Sequence, residues 1–225
     1  MGIYLEALIL YILLFFSGAM RALSGAQAAV PSDADTFPAM AELIRILAHN
    51  IPSLGLIWYL LIRAKRTVIP PGSPEWNLLP GRKDLISGVI TFPCLLLTGF
   101  TIAAISSYIG RSTGQISLIP PSGGLQWLII CISCISSAYL EESFFRFYLL
   151  SRREELKLSA AQALVLSAVL FSICHIYEGP WGFLNSVISG IILCFVFLRY
   201  KALHGIAIAH GLYNISVYVI AALFS

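Results

Sequence analysis

Seven apolar stretches, each about the 20 residues needed to cross a bilayer as a helix, divide this chain of 225 residues. They run over 3–20, 40–62, 85–108, 125–150, 160–177, 181–198 and 204–224. Residues are 58% hydrophobic and 11% charged, whereas soluble domains carry about 25% charged residues. The expected fold is therefore all-α: a polytopic membrane protein of seven transmembrane helices, with no room for a folded soluble domain. The net charge of +3 reads as membrane anchoring rather than attraction for nucleic acid.

Lysine and arginine placement sets an expected topology. One set of loops holds Arg63, Lys65, Arg66, Arg82, Lys83, Arg152, Arg153, Lys157, Arg199 and Lys201; the alternate set holds Arg21 and Arg111. By the positive-inside rule the first set faces the cytoplasm. The N-terminus is then cytoplasmic and the C-terminus lies on the far side.

The first span needs separate treatment, because Gly25 to Ala29 (Gly-Ala-Gln-Ala-Ala) resembles a signal-peptidase site. Nothing basic precedes the apolar run, and its one charged residue is Glu6, so an uncleaved anchor is expected. Cleavage would leave six spans with the later topology unchanged. The chain divides into residues 1–84, two N-terminal helices with a cytoplasmic loop, and a helical core over 85–225.

Breaks between spans are rich in Pro, Gly and Ser. Pro31 to Pro38, with Asp33 and Asp35, and Pro120 to Gly124 form outer loops; Pro70 to Pro74 breaks the chain on the cytoplasmic side, near an interfacial Trp76. Ser159 is placed to cap the fifth span, and Glu178-Gly179-Pro180 makes a short outer turn. Pro52 should kink the second span. Arg45, three residues after Glu42, reads as a surface ion pair, and His49 as a packing residue. Cys94, Cys131, Cys134, Cys174 and Cys194 all fall within spans, where cysteine acts as a small hydrophobe. No disulfide is expected, and Cys131-x-x-Cys134 lacks the further ligands zinc would need.

Three polar clusters break this apolar pattern: Glu141-Glu142-x-x-x-Arg146, Phe171-x-x-x-His175 and His210-x-x-x-Asn214. An ionisable side chain in the membrane centre costs about 2.5–3.5 kcal/mol on insertion scales, so such residues face a protein interior or cavity and mark function. Successive helical residues differ by about 100°, so Glu141 and Glu142 point apart. Glu142 can pair with Arg146 at the favourable i,i+4 spacing, leaving Glu141 without a cation. A free carboxylate in a low-dielectric site is suited to general acid–base work. Phe171 can pack on His175. His210 and Asn214 share a face where Gly211 permits close approach, and together they can stabilise an oxyanion. Glu141 with His175 can then activate water for amide hydrolysis without a covalent intermediate. Heights from straight helices scatter by about 12 Å, so one cavity is possible but not demanded.

The ordered motifs resemble those of the CAAX protease and bacteriocin-processing (Abi) family, over about residues 85–222. That resemblance implies a glutamic intramembrane endopeptidase. Glu141 would be its catalytic base and His175 the partner in activating water. His210 and Asn214 would be oxyanion stabilisers, with Glu142, Arg146 and Phe171 supporting. It implies no cofactor and no metal, and as partners the lipid bilayer and a membrane-tethered protein or peptide substrate. Phe147 stands where many relatives carry Gly. The compact chain looks more like prokaryotic members of the plasma membrane, so prenylated substrates are only weakly implied. Two other readings remain open at this point. One is a zinc-dependent metalloprotease using Glu141, Glu142, His175 and His210, although no His-Glu-x-x-His pair is present. The other is a non-catalytic membrane scaffold or immunity protein using the same cavity.

Overall fold

The computed structural model describes residues 2–23, 37–65, 79–109 and 119–224. Among them are seven helices and no strand. Helix α1 is Gly2–Leu23. Helix α2 runs from Ala39–Ile44 through a π-helical turn at Arg45–Asn50 into Ile51–Lys65. Helix α3 is Arg82–Tyr108. Helix α4 runs from Gly124–Glu142 through a second π-helical turn, Ser143–Tyr148, to Leu149–Ser151. Helices α5 (Ala160–Ile173), α6 (Gly179–Tyr200) and α7 (Leu203–Phe224) complete the set. Helices α2, α3, α4, α6 and α7 contain spans long and apolar enough to cross a membrane; Gly2–Phe15 and α5 are apolar but shorter. The chain is an integral membrane protein of all-α architecture. The Gly25 to Ala29 site, Asp33 and Asp35, and Pro70 to Pro74 with Trp76 lie outside the described residues.

Helix α5 ends at Ile173 rather than at 177. The chain turns at His175, passes through one 3-10 turn at Ile176–Glu178 and enters α6 at Gly179 with φ 78°. Only glycine adopts that conformation without strain, and Pro180 follows at the first turn, where its missing N–H costs nothing. At the other end of α5, Ser159 caps as expected. Its hydroxyl accepts from the Gln162 N–H at 3.2 Å, and the Gln162 carboxamide accepts from the Ser159 N–H at 2.9 Å. Ser159→Ala should lower stability by about 1 kcal/mol in thermal unfolding of detergent-purified protein; an unchanged midpoint would show that the cap does not contribute.

The kink expected at Pro52 takes the form of the π-helical turn just before it. Proline removes an N–H and crowds the carbonyl four residues back, and a widened turn relieves that conflict. The turn presents polar groups to α4. Asn50, 1% exposed, donates to Ser136 and Ser137 at 2.8 and 3.0 Å. Arg45 pairs with Glu42 at 2.6 Å, but this is more than a surface pair. Arg45 also donates to Ser137 at 2.7 Å and to Ser133, whose hydroxyl in turn donates to Glu42. The pair is thus half of a polar seam between α2 and α4, where interhelical hydrogen bonds help membrane helices associate.

Helix α4 is the central element. Every residue from Glu142 to Leu150 is buried. Phe144, Phe145 and Tyr148 meet Leu10, Leu14 and Phe15 of α1, Ile57 and Leu61 of α2, Phe171 of α5 and Phe197 of α6 in one apolar cluster. Phe147 stacks edge-on against Phe197, a packing role. The π-helical turn receives donors from two neighbours: Trp58 Nε1 to the Ser143 hydroxyl at 3.2 Å, and the Ser167 hydroxyl to the Phe145 carbonyl at 2.6 Å.

Helix α1 is stitched to this centre. Glu6 accepts from the Tyr148 hydroxyl and from Arg152, both at 2.6 Å, while Tyr4 and Tyr11 donate to the carbonyls of Leu156 and Leu170. Burial alone would lower the Arg152 guanidinium; its hydrogen bonds to Glu155 and Glu6 outweigh that and hold it above the ordinary arginine value. Helices α3 and α7 start side by side. Asp84 accepts from the Gly81 N–H at 2.9 Å, capping α3, and from the Gly205 N–H at 3.1 Å in the first turn of α7. One carboxylate therefore serves two helix N-termini, the ends that favour negative charge.

Candidate active site

Four elements deliver the polar residues to one place. Glu141 and Glu142 close the α-helical part of α4, and Arg146 lies within its π-helical turn. Phe171 is in the last turn of α5, His175 in the turn beyond it, and His210 near the middle of α7. Close packing helps. A Cβ on Gly211 would lie 2.5 Å from Ile135 Cδ1 and 3.0 Å from Ile135 Cα, so only glycine allows α7 this near to α4.

Arg146 is 0% exposed and sits at the centre. Its Nη1 is 3.1 Å from Glu142 Oε1, the pair expected from i,i+4 spacing. Its Nη2 donates to the Gly190 carbonyl of α6 at 3.4 Å, and its guanidinium carbon lies 4.4 Å from the Phe171 ring centre. A buried ion pair is tolerable when further contacts satisfy its groups; here a carbonyl and an aromatic face supply part of them, while Arg146 Nε and Glu142 Oε2 are buried without a hydrogen bond among the described residues. Gly190 makes the approach possible, since a Cβ there would stand 3.2 Å from the Phe171 ring.

Glu142 does a second thing that spacing along one helix did not reveal: its Oε1 accepts from His210 Nδ1 at 2.9 Å. A carboxylate oxygen can only accept from an N–H here, so the proton is on Nδ1 and the ring is held by that bond. Nε2 then faces Glu141, 3.8 Å from its Oε2. That Glu141 oxygen is buried and makes no hydrogen bond among the described residues. Glu141 thus has no arginine partner, as the helical-face argument expects, and the imidazole it faces at this distance is His210.

His175 is oriented by its own helix. Its Nδ1 lies 2.8 Å from the Phe171 carbonyl, which can only accept, so Nδ1 carries a proton and Nε2 takes no part in that bond. The Phe171 ring packs on the imidazole with centres 4.5 Å apart and on His210 at 5.9 Å. The expected Phe171–His175 contact is present. No hydrogen bond joins His175 to Glu141 among the described residues. Asn214 stands one turn beyond His210 on α7, half-buried.

Two groups belong to the surroundings that motif spacing did not single out. The Gly190 carbonyl carries no side-chain signature at all. Glu178 reads in sequence as part of a Glu-Gly-Pro turn, yet its backbone N–H donates to the His175 carbonyl at 3.0 Å, which ties it to the turn that carries that ring. Its place three residues after His175 is the one cue the sequence offers. Among the described residues no group of three or more His, Cys, Asp or Glu side chains is arranged to hold a metal ion.

No curated protein and no solved structure gives a significant match to the chain. Residues 123–216 match the family model described as Rce1-like, type II CAAX prenyl endopeptidase. The matched segment contains Glu141, Glu142, Arg146, Phe171, His175, His210 and Asn214. Over this segment the chain is similar to the type II CAAX prenyl endopeptidases, a family of membrane proteases.

Proposed function

We propose that the protein is a glutamic intramembrane endopeptidase, cleaving a peptide bond in a membrane-tethered protein or peptide. The observation that carries this reading is the state of Glu141. One of its oxygens is buried without a hydrogen-bond partner, beside an imidazole whose other nitrogen Glu142 already holds. Glu142 also has one unbonded oxygen, but its other oxygen is held by Arg146 and His210; Glu141 has no such bond and is placed to take a proton from water.

In this mechanism Glu141 deprotonates a water molecule with His175 Nε2 as the second acceptor, and the hydroxide attacks the scissile carbonyl. His210, protonated on both nitrogens, donates from Nε2 to the oxyanion, and the Asn214 carboxamide adds a second donor. Glu142 and Arg146 hold His210 in register. The proton taken from water then passes to the leaving amine, and no covalent intermediate forms. Metal-free chemistry fits the donor set, because Glu142 and His210 Nδ1 are committed to each other and to Arg146. The N-terminus is assigned to the cytoplasmic face of a prokaryotic plasma membrane, supported by the contact of Glu6 with Arg152 in a basic loop.

The test compares membrane peptides by mass spectrometry in cells carrying wild type or Glu141→Gln, which keeps size while removing the base. Peptide termini present with wild type and absent with the variant support the reading, provided they persist after exhaustive chelation. Identical peptide sets would overturn it, and loss of the termini on chelation would transfer the chemistry to a metal.

A further inference from the structure

Helix α4 is α-helical without interruption from Gly124 to Glu142, so Ser133, Ser137 and Glu141 recur at four-residue intervals along one face. Helical side chains tilt toward the N-terminus of their own helix, which leans the Glu141 side chain back toward Ser137. Cβ atoms at this spacing stand about 5–6 Å apart. Both residues are half-buried, and the Glu141 side chain is 20% exposed, so this face is not sealed by packing. Ser137 and Glu141 share no direct hydrogen bond among the described residues.

The π-helical turn of α2 decides what the Ser137 hydroxyl can do. Arg45 donates to it from Nη1 at 2.7 Å, and Asn50 from Nδ2 at 3.0 Å. The orientation of the Asn50 carboxamide follows from its other contact. Ser136 lies 2.8 Å from the same Asn50 atom and gives its own proton to the Ser133 carbonyl at 3.1 Å. Ser136 therefore has only lone pairs to offer, and the Asn50 atom between the two serines is the NH2. A hydroxyl has two lone pairs and one proton. Both lone pairs of Ser137 are taken, and its proton has no acceptor among the described residues. One turn along the same face stands Glu141, whose buried Oε2 has no donor. An unspent donor and an unspent acceptor facing each other beyond direct reach are joined by one water. Its oxygen accepts from Ser137 and one of its hydrogens goes to Glu141, which leaves the second hydrogen and the other lone pair for the reaction.

We infer that Ser137 is a positioning residue for the hydrolytic water, which it holds against Glu141 through a hydroxyl that Arg45 and Asn50 restrict to donating. This rests on the proposed function, in which Glu141 takes the proton, but the water site itself can be tested without a substrate. A crystal structure grown in a lipid mesophase, at a resolution that shows ordered water, should place a water within about 3.2 Å of both Ser137 Oγ and a Glu141 carboxylate oxygen. In Ser137→Ala that water should be lost while the Arg45–Glu42 pair is kept. No water at that position in wild type, a direct Ser137–Glu141 bond, or a water that persists in Ser137→Ala overturns the inference. In the membrane-peptide comparison, Ser137→Ala should slow formation of the Glu141-dependent termini about tenfold or more, the effect of a misplaced reacting group. Ser137→Thr keeps the hydroxyl and should recover most of that rate. Ser136→Ala, which removes the neighbouring hydrogen bond to the same Asn50, should leave the rate unchanged. Equal slowing in Ser136→Ala and Ser137→Ala, or no recovery in Ser137→Thr, would make the serines a support for helix packing alone and overturns the inference too. If wild type yields no such termini, the proteolytic reading fails, while the crystallographic water still decides whether Ser137 holds water against Glu141.

Discussion

Arg146→Met should destabilise the protein by about 3–5 kcal/mol, the usual cost of removing one partner from a fully buried ion pair. Both side chains of the pair are 0% exposed, so neither water nor lipid headgroups can take over from the lost guanidinium. Glu142 would be left with one cationic neighbour, His210, and the Gly190 carbonyl and Phe171 ring would lose their contact. The double variant Glu142→Met/Arg146→Met removes both charges and should recover part of that loss, since apolar replacements of a buried pair are often neutral or better. It should remain inactive, because His210 Nδ1 then has no carboxylate to hold it. Unfolding of detergent-purified protein by a graded denaturing detergent reads the stabilities. A single variant as stable as wild type, or a double variant less stable than either single one, would show that the pair is not what organises this centre.

Gly205→Ala should cost about 3 kcal/mol or more, at or beyond the upper end of ordinary overpacking. The added Cβ would stand 2.0 Å from the Asp84 carbonyl oxygen and 2.2 Å from the Ser87 hydroxyl, and the first of these is backbone that cannot swing away. Relief requires α3 and α7 to separate where Gly88 also meets the Gly205 backbone, at 3.2 Å from its own ideal Cβ. Separation breaks the Asp84 bond to the Gly205 N–H and withdraws the support beneath His210. Gly55→Ala is the matched control: nothing lies within 4 Å of its Cβ, and better helix propensity should add up to about 1 kcal/mol. If the two alanine variants unfold together, the close crossing of α3 and α7 is not a determinant of stability.

What the sequence discloses follows the reach of its cues. Helix spans, the Ser159 cap, the Glu178-Gly179-Pro180 turn, the Glu142–Arg146 pair and the Phe171–His175 contact all depend on residues a few positions apart. Spacing along one helix reports such relations directly. The Glu142–His210 bond joins residues 68 positions apart, and nothing local encodes it. The π-helical turns were invisible for a related reason: at Ser143–Tyr148 the Phe145 carbonyl takes a donor from Ser167, which belongs to another helix. Glu42 and Arg45 show the same limit. Their i,i+3 spacing announces a pair, but the serines of α4 decide that it faces inward. Depth estimates from straight helices spread the clusters apart, and only the contacts of Phe171 with His175, Arg146 and His210 show them together.

The donors supplied to α4 bear on how the protein is assembled in the bilayer. An ordinary α-helix satisfies its own backbone and can enter lipid as a finished unit. Helix α4 takes a hydroxyl from α5 at the Phe145 carbonyl, so its final shape waits for a segment synthesised later. Until α5 arrives, the Phe145 carbonyl lacks that donor and Arg146 lacks the Phe171 ring. The geometry of the candidate site is therefore a product of helix association rather than of insertion, and a nascent chain ending within α4 would carry the motif without yet carrying the site.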